Sequence, residues 1–245
     1  MDEKNSDIDY KIADIITGMP HEFTVGRKTV RLYPVTLAKT YILARVMSGL
    51  AINREILSFN PNLEILRLVE EKKELCCRLL SIHATPNTYK DLFNSRSIAE
   101  RRNLFMKMSN EDVAVLMLYV LTSDATEEVI KHLGLDKERE RLAKVMKVKK
   151  DDSKNNVSFG GLTIFGSFIG QLKEMGYSDN EILYERGYSF LRLMLADKIT
   201  SVYLSDDELN KLPADVGGTM LDGNDPASFE KLKARMSAKG VKMIN

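Results

Sequence analysis

The chain has little that would let it act by covalent or metal chemistry. Its only cysteines, Cys76 and Cys77, are adjacent within a helical pattern. That arrangement suits neither a structural disulfide nor a spaced metal site and points to a reducing compartment. His21, His83 and His132 are scattered, and none has a Cys, Asp or Glu at metal-ligand spacing on a shared face, so they read as surface or capping residues. No apolar run approaches the roughly 20 residues of a membrane-spanning helix, and Leu162 to Ile169, the nearest, is broken by Gly166. The first residues are acidic and polar, the opposite of a basic secretory leader, so no export signal is expected. A net charge of +1 excludes a long-range field that would recruit nucleic acid or an anionic membrane.

What is present is ordinary for a globular chain: 245 residues, 44% hydrophobic and 29% charged, enough for one large core or two smaller ones. The pattern predicts a mainly α protein, with a short N-terminal β-hairpin, a multi-helix bundle, a linker, a smaller helical module and an extended tail. The expected divisions are residues 1–146, a flexible linker over 147–161, a helical-hairpin module over 162–212 and a tail over 213–245 with a short basic helix.

His21–Val25 and Thr29–Tyr33 are β-prone runs around Gly26-Arg27-Lys28, with Phe23 and Val25 alternating on one side and Val30 and Leu32 on the other. After Pro34, Thr36 caps a helix with an expected buried stripe of Leu37, Tyr41, Leu43, Ala44, Met47 and Leu50. Asn60-Pro61 starts a helix running to about His83, because proline at the first helical position loses only an amide that would be unpaired anyway. Its expected apolar face is Ile65, Leu66, Val69, Cys76, Leu79 and Leu80. Shorter helices follow over Tyr89–Phe93, Ile98–Met108, Glu111–Leu121 behind the cap Ser109, and Ala125–Leu133 closed by Gly134. A highly charged helix then covers Asp136 to about Val148, with only Leu135, Leu142, Val145 and Met146 to pack.

The stretch KVKKDDSKNNVSFGG breaks every hydrophobic period and reads as the linker. Beyond it, Gly176 supplies a left-handed residue that ends one helix. Ser178 and Glu181 form a reciprocal cap that opens the next, expected to continue through Tyr184, Tyr188, Leu191 and Leu195. Ser205 caps a short helix ended by Pro213, and Asp225-Pro226 restarts a basic one.

Catalytic motifs are mostly missing. Gly161 to Ser167 has the glycine spacing of a phosphate loop but puts Ser167 where the lysine belongs. Gly166 and Gly170, four apart, read instead as a small-residue face for close helix approach. Cys76 reads as a core thiol, and Asp151-Asp152 and Asp206-Asp207 as solvated charge. The basic groups Arg96, Arg101, Arg102 and Lys107, and Lys144, Lys147, Lys149 and Lys150, are interrupted by Glu100, Glu138 and Glu140 and lack interleaved aromatics. Solvated helix faces therefore outweigh a nucleic-acid footprint.

Two segments carry a resemblance. HEFTVGRKTVRLYPVTLAKTYIL looks like the opening of the tail assembly chaperones of long-tailed bacteriophages, in which a short hairpin leads through a proline and a threonine into a helical body. GYSDNEILYERGYSFLRLMLADK is similar to that family's downstream segment: a capped helix with an aromatic residue, a small-residue turn, then a Leu/Met run ending near Ala-Asp. The resemblance covers about the first two hundred residues, and the Pro226-led tail has no counterpart in it.

The resemblance implies a non-enzymatic chaperone, with no cofactor, that binds the tape-measure protein during tail morphogenesis. Tail tube subunits and self-association are further contacts it suggests. Such a protein works in the host cytoplasm and is not expected in the mature virion. In that family a programmed frameshift often joins the upstream and downstream parts, and Lys147–Lys154 occupies the corresponding place. Apolar helix-in-groove recognition would carry the binding. The expected partner-facing set is Phe165, Phe168, Ile169, Tyr184, Tyr188, Leu191 and Met194, set against the hairpin's own core as the other home for the same side chains. A connector retained in the particle and a small helical nucleic-acid-binding regulator are the competing readings.

Overall fold

The computed structural model describes residues 3–25, 28–152, 163–213 and 216. It is mainly α-helical, with one antiparallel two-stranded hairpin near the N-terminus. The chain divides into two units, Met1–Lys137 with Ser158–Ile199, and Glu138–Val157 with Thr200–Asn245.

In the first unit, α1 (Glu3–Thr17) stops at Gly18, whose φ of +58° suits glycine and whose N–H donates to the Asp14 carbonyl. β1 (His21–Val25) pairs with β2 (Lys28–Leu32), a strand one residue earlier than expected, with Phe23 opposite Val30. Leu32 is buried and Phe23, Val25 and Val30 pack against the same core.

Thr36 caps α2 (Leu37–Leu50) as expected, its hydroxyl accepting from the Lys39 N–H. The buried stripe is different. Lys39, Leu43, Val46 and Leu50 lie at four- and three-residue steps on one face, which leaves Tyr41 and Ala44 exposed.

After the short α3 (Arg54–Phe59), Asn60 caps α4 (Pro61–His83), the central helix; the single turn α5 (Tyr89–Leu92) follows, and α2, α6 (Ser95–Met106) and α7 (Asn110–Thr122) pack against α4. Its burial includes Ile65, Leu68, Val69, Cys76, Cys77, Leu79 and Leu80, whereas Leu66 faces out. Lys72 departs from helical geometry at φ −138°, and its ammonium donates to the carbonyls of Gly49 and Leu50 at the end of α2. Ser109 caps α7 through the Asp112 N–H, and Gly134, at φ +70°, follows α8 (Thr126–His132).

The segment expected as a separate module belongs, as far as Ile199, to this first unit. Its core of Leu172, Ile182 and Leu191 is completed by Leu37 from α2. The backbone is joined as well: Gly187 bridges Thr36, and the Tyr188 N–H donates to the Val35 carbonyl at 2.7 Å. Three buried side chains on short helical turns could not exclude water unaided, and Leu37 supplies the fourth.

This segment comprises a π-helical turn (Phe165–Gly170), α10 (Gln171–Glu174), a second π-helical turn (Glu181–Glu185) and α11 (Tyr188–Ala196). Gly176 takes φ +93° and the Ser178–Glu181 reciprocal cap is formed, as expected. The continuous second helix is not. Arg186 turns extended (ψ 135°), because Gly187 leaves the helix to pair with Thr36. Gly170 serves the π turn rather than a neighbouring helix, since a Cβ there would lie 3.2 Å from the Phe165 carbonyl oxygen.

The second unit begins inside α9 (Leu135–Asp152), so the expected linker over 147–161 is helical to Asp152 and its remainder falls outside the described residues. In this unit α12 (Asp206–Asn210) carries a full capping box, Ser205 with Glu208. Lys149 donates to the Tyr203 carbonyl and Arg141 to that of Val216. Most of the expected tail, 213–245, lies outside the described residues. Among the described residues no helix is long and apolar enough to cross a membrane.

Candidate partner-binding site

The first unit contains an open groove of about 690 Å³. It is walled by the end of α1 near Gly18, β2 running into Pro34, the middle of α2, the ends of α4 and α7, and the start of α11 at Gly187. Apolar side chains dominate, with Ile15 and Met19 from α1 and the residues after it, Leu43 from α2, Val120 from α7, and Tyr188 and Phe190 from α11. Met19 is 67% exposed, an apolar lip on the opening.

His83, only 7% exposed, lines this groove. Burial, aided by the nearby Lys39 charge, pushes its imidazole down to about 3, so the ring is neutral at neutral pH. Lys39 is fully buried beside it. Its ammonium donates to the Thr85 carbonyl at 2.8 Å, just past the end of α4, and lies 5.6 Å from the Tyr33 ring centroid. Burial and then the Arg101 charge bring Lys39 down to about 7. The groove edge carries Lys11, Asp14 and Asp124.

The seven side chains expected to face a partner do not form one surface. Leu191 is fully buried, a correction that follows from its place with Leu37, Leu172 and Ile182 in the core. Phe168, Ile169 and Tyr188 are half-buried against that core, with Phe168 and Tyr188 rings 5.4 Å apart. Met194 is half-buried. Tyr184 meets Tyr89 edge-on at 5.8 Å, and Tyr89 in turn meets Phe93 at 4.9 Å. Phe165 alone stands out, 73% exposed. Of the seven, the groove uses Tyr188.

Sequence reasoning missed Lys39 and His83. Their positions fall on the apolar stripes, His83 three and four residues beyond Leu80 and Leu79 on α4 and Lys39 four before Leu43 on α2, but a polar residue type counts against burial there. It also missed Glu64, buried without exposure, whose carboxylate is held well below the usual range by the Arg67 guanidinium at 2.6 Å and by the Asn53 N–H.

The other candidates are taken up by the fold. Burial pushes the Cys76 and Cys77 thiols up to about 12 and about 11. Arg96 pairs with Glu100, Arg102 with Glu74, and Arg101 donates to the Ser97 hydroxyl. Among the described residues no three of His, Cys, Asp and Glu converge to hold a metal ion. Compared with protein-family models, curated proteins and solved structures, the chain matches none.

Proposed function

We propose that this chain is a non-enzymatic tail assembly chaperone of a long-tailed bacteriophage, whose first unit shields an apolar helical segment of the tape-measure protein. The observation that supports this reading is the open, apolar-walled groove of about 690 Å³, large enough to take several side chains of one helix face. A long helical chain must be kept from aggregating until tube subunits enclose it, and covering its apolar stripe is work that requires affinity alone. Tail tube subunits are a further partner in this proposal, and the host cytoplasm its setting.

Co-expression with the tape-measure protein of the same phage tests it. The wild-type chain is expected to raise the soluble yield of that partner and to co-purify with it. Met19→Glu combined with Ala44→Glu changes two exposed groove positions, so this variant should fold normally and lose the effect. Equal solubility with wild type, variant or neither would overturn the proposal. Mass spectrometry of purified virions separates it from a connector, which would stay in the particle.

A further inference from the structure

The groove is not uniformly apolar, and two of its features restrict what fits. The first is His83. Its ring is buried, lines the groove and, among the described residues, receives and makes no hydrogen bond. Because the ring is neutral, one nitrogen donates and the other accepts. The ring nitrogens are open to the groove, since the fully buried side-chain atom without a partner among the described residues is Asn87 Oδ1, so an occupant that covers the ring must replace the excluded water with a hydrogen bond or lose affinity. That occupant's group is uncharged. Any ion at this depth would lose its water, and a cation would also face Lys39.

The second feature is the charge at the α1 end of the opening. Asp7 and Glu128 share the Lys11 ammonium at 2.7 and 3.1 Å. Asp124 and Glu127 share the Arg192 guanidinium. Both cations are thus already matched by two carboxylates each. Asp14, exposed on the groove edge, has no ion pair among the described residues. This end therefore carries an unbalanced negative field that favours a basic group on whatever docks there.

We infer that the groove selects a partner helix combining an apolar stripe with an uncharged hydrogen-bonding side chain that reaches His83 and a basic residue that meets Asp14. This rests on the reading of the groove as a helix-docking site. It adds the identity of the anchor and the sign of the flank, which shape alone leaves open.

Synthetic amphipathic helices of about 20 residues, long enough to span the groove, provide the test against the full chain by fluorescence anisotropy. Two share a leucine stripe with one central glutamine and differ in flanks, lysine in one and glutamate in the other; a third replaces the glutamine of the lysine peptide with leucine. The lysine-flanked peptide is expected to bind about tenfold more tightly than the glutamate-flanked one at low salt, with the gap closing as salt rises. Asp14→Lys should remove that preference, and the leucine-for-glutamine peptide should bind several-fold more weakly. The glutamine peptide should also shift the ring nitrogen resonances of His83 in the unmodified protein, a readout that needs no core substitution. Equal affinities, preference for the glutamate peptide, absence of binding, or unmoved His83 resonances would each overturn the inference. Preference for the glutamate peptide would leave the chaperone proposal standing, whereas failure of the co-expression experiment would remove that proposal without touching the peptide result.

Discussion

The Lys39 ammonium donates to the Thr85 carbonyl oxygen at 2.8 Å, tying the buried face of α2 to the chain just beyond α4. A cation at the end of a helix complements its exposed carbonyls, but this one is held out of water. In the unfolded chain Lys39 keeps its proton to about 10.5, and in the folded protein only to about 7. Above pH 7 the unfolded state therefore binds the extra proton, and stability rises with pH by at most about 1.4 kcal/mol per unit. The rise should be clearest between pH 7 and 9, because Cys76 and Cys77, which keep their protons longer when folded, oppose it above their ordinary value of 9.0. Urea unfolding across that range should show the slope in the wild type and its loss in Lys39→Met.

His83 acts at lower pH with the same sign. Its unfolded value is 6.5 and its folded value about 3, so between them the unfolded chain takes up a proton that the native state refuses. Stability contributed by the neutral ring is complete above pH 6.5 and declines as the solution is acidified toward pH 3. Comparing the acid limb of the unfolding curve in wild type and His83→Leu should show a shallower loss in the variant.

Leu191 and Phe165 were equal candidates for partner contact on periodicity alone, and the fold treats them oppositely. Leu191→Ala removes a fully buried side chain and should cost about 2–5 kcal/mol in chemical unfolding. Phe165→Ser alters a residue 73% exposed and should stay within about 0.5 kcal/mol.

The paired thiols should be silent in the native protein. Cys76 and Cys77 are fully buried and hold their protons well above neutral pH, so a water-soluble aryl disulfide is expected to modify neither until denaturant is added, and then both. Rapid reaction of either thiol in the native state would show that α4 opens locally.

Local signals were read well from the sequence. Thr36, Asn60, Ser109, Ser178 and Ser205 all cap where their hydroxyl or amide oxygen predicts, because a cap is decided within three residues. Partnerships made over long separations were not legible. Nothing local to Gly187 announces that it pairs with Thr36, so one helix was expected where two short ones stand. Lys39 was hidden by its type, since lysine is almost never fully buried and an amphipathic count assigns it to water. The groove is a product of the same distant pairing: α1, α2, α7 and α11 meet there only once the C-terminal segment is docked.

That docking also sets an order of events during synthesis. Leu37 waits for Leu172, Ile182 and Leu191, and the Val35 carbonyl waits for Tyr188, all of which leave the ribosome far later. A nascent chain halted before residue 163 would carry a bare leucine and an unpaired Val35 carbonyl beside an otherwise finished bundle, and the groove would lack its far wall. The groove thus takes its final form only after the turn at Gly187 has closed on Thr36.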